Sequence, residues 1–132
     1  DKKVYVPQFI ASARASGGCI STARELMIFM KAFFSGTLFD KSILDQLSEC
    51  NRLQITYGPI RYAGGYMRIP LKHFLLPFNA VDELVGHSGA TGSFAFYFPQ
   101  EDIYFVGNLN QMASPSLPIR MLYDLAKAVY KK

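Results

Sequence analysis

The sequence predicts an α+β fold in which helices come first, an antiparallel sheet follows, and a C-terminal helix covers that sheet. Three observations carry the prediction. Helical apolar spacing runs over residues 23–34 and returns after residue 116; a period of two occupies Phe94-Ala95-Phe96-Tyr97-Phe98; and glycine and proline cut residues 57–102 into strand-length pieces.

Residues 1–16 contain Pro7 and few periodic apolar positions, so they read as an irregular lead-in that ends at Gly17-Gly18. Thr22 with Glu25 three places on is a capping box, which starts a helix. From Ala23 to Phe34 that helix is apolar nearly all round, which predicts burial on most sides by core packing rather than a ligand or lipid groove; Ser35-Gly36 ends it. Asp40 caps a second helix through about Glu49, with Ile43, Leu44 and Leu47 on one face; Asp45 and Glu49 at i and i+4 read as wet surface rather than paired acid and base.

Beyond Asn51 the period changes. Tyr57-Gly58-Pro59 breaks the chain, and residues 60–69, punctuated by Gly64-Gly65, fit a bent strand or hairpin. Residues 70–83 hold Pro70, Pro77 and Asn79 around Phe74-Leu75-Leu76 and read as a long connection. Strands are expected at 84–89, 93–98 and 103–109, with Pro99-Gln100-Glu101-Asp102 as the hairpin turn between the last two. Ser114-Pro115-Ser116 opens a final helix, with Ile119, Leu122, Tyr123, Ala126, Val129 and Tyr130 at helical spacing to cover the three-stranded sheet. There are no internal repeats.

Composition narrows the classes. A chain of 132 residues, half of them hydrophobic, is long enough to bury a core as one domain, 1–132. Every apolar stretch is interrupted well short of a membrane span. The +4 charge lies partly at the tips, in Lys2, Lys3, Lys131 and Lys132, and there is neither the basic stripe nor the basic and aromatic interleaving of a nucleic-acid binder. Cys19 and Cys50 are too few for a disulfide scaffold, and neither clusters with His73 or His87 at zinc-ligand spacing; no metal or other cofactor is expected. The chain opens at Asp1 without a basic-then-apolar signal segment, which reads as a processed product, a cloned portion or a proteolytic piece; the compartment stays open.

The chemistry gathers at Val85-Gly86-His87-Ser88-Gly89-Ala90-Thr91-Gly92-Ser93-Phe94. A phosphate-cradling loop needs its glycines to open a helix, and strand-like sequence follows here. A nucleophile elbow at Ser88 needs a helix after the serine and a histidine later in the chain, yet His73 and His87 both precede it. The third reading takes His87-Ser88-Gly89 as an edge-strand triplet, Lys or His, then Ser or Thr, then Gly, that borders an active cleft.

That triplet does not stand alone. Gly17-Gly18-Cys19-Ile20-Ser21-Thr22-Ala23-Arg24-Glu25-Leu26 resembles the "GG-apolar-x-ST-x-x-(D/E)-L" helix start of the penicillin-recognising serine hydrolases, and Tyr57-Gly58 resembles their entry into the sheet. Asn108-Leu109-Asn110 after an apolar strand, then a last amphipathic helix, completes the order. The resemblance is to the group of class C β-lactamases, D-Ala-D-Ala carboxypeptidases and esterases, and it covers the carboxy-terminal half or less of such an enzyme. It implies a partial β-lactamase/transpeptidase-like fold.

In that family an acyl-enzyme forms on a serine of Ser-x-x-Lys, helped by the tyrosine of Tyr-x-Asn or Tyr-x-Ser. This chain has none of these motifs; the nearest, Ser21-Thr22-Ala23-Arg24, is a helix cap. The resemblance therefore implies no catalytic side chain here and an inactive chain by itself. It assigns substrate binding to His87, Ser88, Gly89 and Ala90, with the Ala90 backbone N–H as one of two oxyanion donors. Ser88 would bond ligand or the neighbouring strand, and Gly89 and Gly92 would let substrate backbone approach. A lysine in the first place would offer a fixed charge to a carboxylate, whereas an imidazole does not, which is similar to the esterase and D-amino-acid peptidase side of the family. The substrates implied are peptide, β-lactam or ester. The family pairs the strand at 103–109 with an amino-terminal strand, so its exposed edge would recruit a second copy or a companion fragment. The alternative from another class is a non-catalytic binding domain on the same scaffold; an elbow-type esterase using Ser88 is the third.

Overall fold

A computed structural model describes residues 7–14, 17–49, 51–52, 58–74 and 78–130, with backbone alone at 8–10, 51–52 and 73–74. Cys50, Tyr57, Leu75, Leu76, Pro77 and the terminal lysines lie outside the described residues, as does the His73 side chain.

The supposed irregular lead-in holds a helix, α1 (Pro7–Ala13). Proline suits a first helical position because its missing N–H would be unpaired there in any case; seven residues offer too little periodicity to announce the helix. In α2 (Ala23–Ser35) the Thr22 hydroxyl accepts from the Glu25 N–H at 3.2 Å, and Glu25 Oε2 accepts from the Thr22 N–H at 2.8 Å. Gly36 caps the other end. Asp40 accepts from the Ser42 N–H at 2.8 Å to start α3 (Lys41–Leu47), which stops short of Glu49; Asp45 and Glu49 are both exposed.

The sheet has six strands, not three: β1 (Asn51–Arg52), β2 (Arg61–Tyr62), β3 (Met67–Pro70), β4 (Glu83–Ser88), β5 (Ser93–Phe98) and β6 (Ile103–Asn108), antiparallel neighbours in chain order. The extra strands are two to four residues long, too short for alternation to reveal. The hairpin expected over 60–69 is β2–β3, closed where the Ala63 N–H donates to the Tyr66 carbonyl at 2.8 Å. Part of the expected connection is ordered by pairing: β3 runs to Pro70, a 3-10 turn covers Leu71–Phe74, and the Leu71 N–H donates to the Asp82 carbonyl at 2.8 Å. Arg68 on β3 forms a partly buried ion pair with Glu83 on β4 and also donates to the Ser48 carbonyl.

Alternation along β5 sorts the two sheet faces. Phe94, Phe96 and Phe98 join Ile69, Leu71, Phe78, Leu84 and Phe105 beneath Leu122 and Ala126 of α4 (Leu117–Val129). Phe96, Phe98 and Leu122 are fully buried, each contributing about 1.5–3 kcal/mol. A smaller cluster of Ala63, Tyr66 and Val85 packs with Phe33, Phe34, Leu47 and Tyr97 against α2 and α3. The expectation that α2 is buried on most sides is corrected here: Met30 is its one buried residue, while Ile28 and Phe29 are 62% and 50% exposed. The sheet covers one side of the helix, and no described element covers the other. The final strand, β6, ends the sheet with no strand on its far side among the described residues.

Candidate functional site

The triplet stands where β4 loses one of its two partners. On the β3 side the ladder ends at Met67 opposite Gly86, whereas on the β5 side it continues through His87 opposite Ala95 and Ser88 opposite Phe94. The last two residues of β4 therefore present an edge with no strand against it among the described residues. Gly86 permits this geometry: its φ is +154°, and a Cβ there would lie 2.0 Å from the Ala95 carbonyl oxygen. Sequence placed the glycine; the ladder shows what it accommodates.

After Ser88 the chain makes a tight turn. The Gly92 N–H donates to the Gly89 carbonyl at 3.0 Å, and the Gly89 N–H to the Ser93 carbonyl at 2.7 Å. Ala90 occupies the first central place of that turn, and its N–H has no acceptor among the described residues. At Gly89 a Cβ would meet Ser93 Oγ at 2.3 Å, so the Ser93 hydroxyl lies over the turn. The far side is pinned: the Gln111 N–H donates to the Thr91 carbonyl and the Leu109 N–H to the Gly92 carbonyl, each at 3.0 Å. Asn108 Oδ1 accepts from the Asn110 N–H at 2.6 Å, while Asn110 holds a positive φ of 47°. The Asn108-Leu109-Asn110 run thus shapes the loop that clamps the triplet's turn.

His87 is exposed, and both its ring nitrogens are engaged. Nδ1 lies 2.8 Å from the Ser88 carbonyl oxygen, which only accepts, so Nδ1 carries the hydrogen. Nε2 lies 2.8 Å from the Tyr62 hydroxyl, and the two rings meet edge to face with centroids 5.6 Å apart. With both nitrogens so occupied, His87 is not placed as a base for Ser88. The helix that an elbow at Ser88 would require is also not there, since a turn leads straight into β5.

The four residues singled out from sequence, His87, Ser88, Gly89 and Ala90, lie together at one strand end. Ser93, from the same stretch, and Tyr62 join them; Tyr62 carried no sequence signal, because it acquires its place only through strand pairing. A cavity of about 410 Å³ lined by Lys31, Ala32, Ser35, Thr37, Asp102 and Tyr104 opens by the β5–β6 turn, at the opposite end of β5 from the triplet. Beside it, burial first and then the hydrogen bond to Asp102 push the Tyr97 phenol up to about 12. Among the described residues no group of three or more His, Cys, Asp or Glu side chains is placed to hold a metal ion, and no helix is long and apolar enough to cross a membrane.

An α+β chain with a His-Ser-Gly strand end beside a sheet-capping C-terminal helix is the frame of a penicillin-recognising serine hydrolase. The profile of the Beta-lactamase family matches residues 1–129, and the chain belongs to that family. A search of curated proteins found no match to it, and neither did a search of solved structures.

Proposed function

We propose that this chain is the cleft-wall portion of a serine acyl hydrolase: it supplies the strand His87-Ser88-Gly89 and the Ala90 N–H that receives negative charge on a carbonyl oxygen. The observation that carries this reading is a β4 end that no strand faces on the β3 side among the described residues, next to an N–H that no described group accepts. Membership of the Beta-lactamase family supports acyl transfer to water through a covalent intermediate on peptide, β-lactam or ester substrates. The nucleophile and base would come from a companion segment bearing Ser-x-x-Lys, because none of the 132 residues forms that motif. Alone, this chain has no group to attack the carbonyl and does not turn over.

The β6 edge supports a further part of this reading. Among the described residues no strand pairs with its outer edge, which favours a partner strand, from a second copy or from that companion segment.

Ala90→Pro tests the oxyanion assignment in the protein assembled with its companion segment. Proline suits the first central position of a turn, so the change removes the N–H at little cost in strain. Acylation should fall by about 10²–10³-fold, the usual effect of losing one oxyanion donor, while the amide spectrum of the sheet stays dispersed. Undiminished acylation would show that Ala90 stabilises no charge, leaving the non-catalytic binding domain as the better description.

A further inference from the structure

We propose that Tyr62 is the positioning residue of the cleft wall, fixing His87 in its Nδ1–H tautomer so that the wall offers a phenol oxygen in place of an imidazole N–H and selects acyl groups without a carboxylate. This rests on the cleft-wall reading above, and it adds a residue and a substrate class to it.

The two contacts of the imidazole decide where its hydrogen sits. The Ser88 carbonyl can only accept, so Nδ1 donates across 2.8 Å. In the neutral ring Nε2 then has only a lone pair to offer, and the Tyr62 O–H at 2.8 Å donates into it. With both ring nitrogens spent, His87 keeps no N–H for a substrate carboxylate. What remains is the Tyr62 phenol oxygen, whose lone pairs accept from an N–H or O–H. An amide or alcohol group meets a partner there; a carboxylate meets another acceptor.

Tyr62 is held in place for this role. It pairs with Met67 across the β2–β3 hairpin, Met67 pairs with Gly86, and the hairpin turn closes at Ala63 and Tyr66, both buried. The phenol therefore arrives from the β2–β3 hairpin at the point where β3 leaves β4.

The test uses the chain itself, uniformly labelled with ¹⁵N, with His87→Gln assigning the two imidazoles. The expected spectrum shows His87 with hydrogen on Nδ1 and a pyridine-like Nε2. Tyr62→Phe, which keeps the ring and removes the donor, should move the Nε2 signal and shift population toward the Nε2–H form, with amide dispersion unchanged. An Nε2–H ring in the parent chain, or identical imidazole signals in Tyr62→Phe, would overturn the positioning role. N-acetylalanine methyl ester and N-acetylalanine are then titrated as probes. The ester should perturb the Ser88 and Ala90 amides and the acid should not. Equal or stronger perturbation by the acid overturns the substrate class, while silence from both probes counts against the cleft-wall reading and leaves the tautomer result to decide Tyr62 separately.

Discussion

Two glycines on either side of His87-Ser88 face different neighbours. A Cβ at Gly86 would strike the Ala95 carbonyl oxygen and, at 2.7 Å, the Phe96 Cα, atoms fixed by the β4–β5 ladder; at Gly89 it would strike a serine hydroxyl that can rotate away. Gly86→Ala should cost about 2 kcal/mol or more, a fall in Tm of roughly 6–10 °C, and Gly89→Ala clearly less, as thermal unfolding of both variants would show. Equal melting temperatures would mean that β4 is not held in this register. Tyr97 provides a pH readout. Its raised phenol value favours the neutral form in the folded state, so its contribution is complete below the ordinary value of 10.0 and is lost as pH rises through about 12. Phenolate absorbance should show a late step that Tyr97→Phe removes; an unchanged upper limb would contradict the burial given to it. The strand end at His87, Ser88, Gly89 and Ala90 stood out in the sequence because three glycines and three hydroxyl residues crowd ten positions. Tyr62 was not, because its bond to His87 spans 25 residues and exists only once β2, β3 and β4 have paired.

Caps were legible and burial was not. Thr22 and Glu25 needed only each other, so the sequence pattern and the observed capping box agree. Thr22→Ala should lower stability by about 1 kcal/mol in urea unfolding. Donation by the Thr22 N–H, then by its hydroxyl, holds Glu25 below the ordinary glutamate range. That stabilisation is present above the ordinary value and lost as pH falls through the depressed one, so the Thr22 amide resonance should move at a lower pH than an ordinary glutamate titrates. The exposure of Ile28 and Phe29 depends instead on what packs beside α2, which no single-helix pattern contains. In α4 the pattern did report the neighbour, since the spacing of Leu122 and Ala126 matches the face laid on the sheet. Leu122→Ala should cost about 2–5 kcal/mol, and Leu125→Ala, at a residue 38% exposed, far less; similar costs in denaturant would place the wrong face inward.

For the whole molecule, helix-before-sheet order, the three long strands and the closing helix were legible from period and punctuation. The short strands were not, because two-residue pairings follow from β4 rather than from their own composition, and the same shortness hid α1. At this scale the β6 edge predicts concentration-dependent association by light scattering, unless a companion strand is supplied; a monodisperse monomer at high concentration would remove that idea. The central claim is that this chain walls a cleft without attacking what enters it. Intact mass after incubating the folded chain with a β-lactam and, in parallel, a fluorophosphonate tests it most directly. The expected result is no adduct from either reagent. A single adduct that denaturation prevents, mapped to Ser88, would contradict it and make this strand end the seat of the nucleophile.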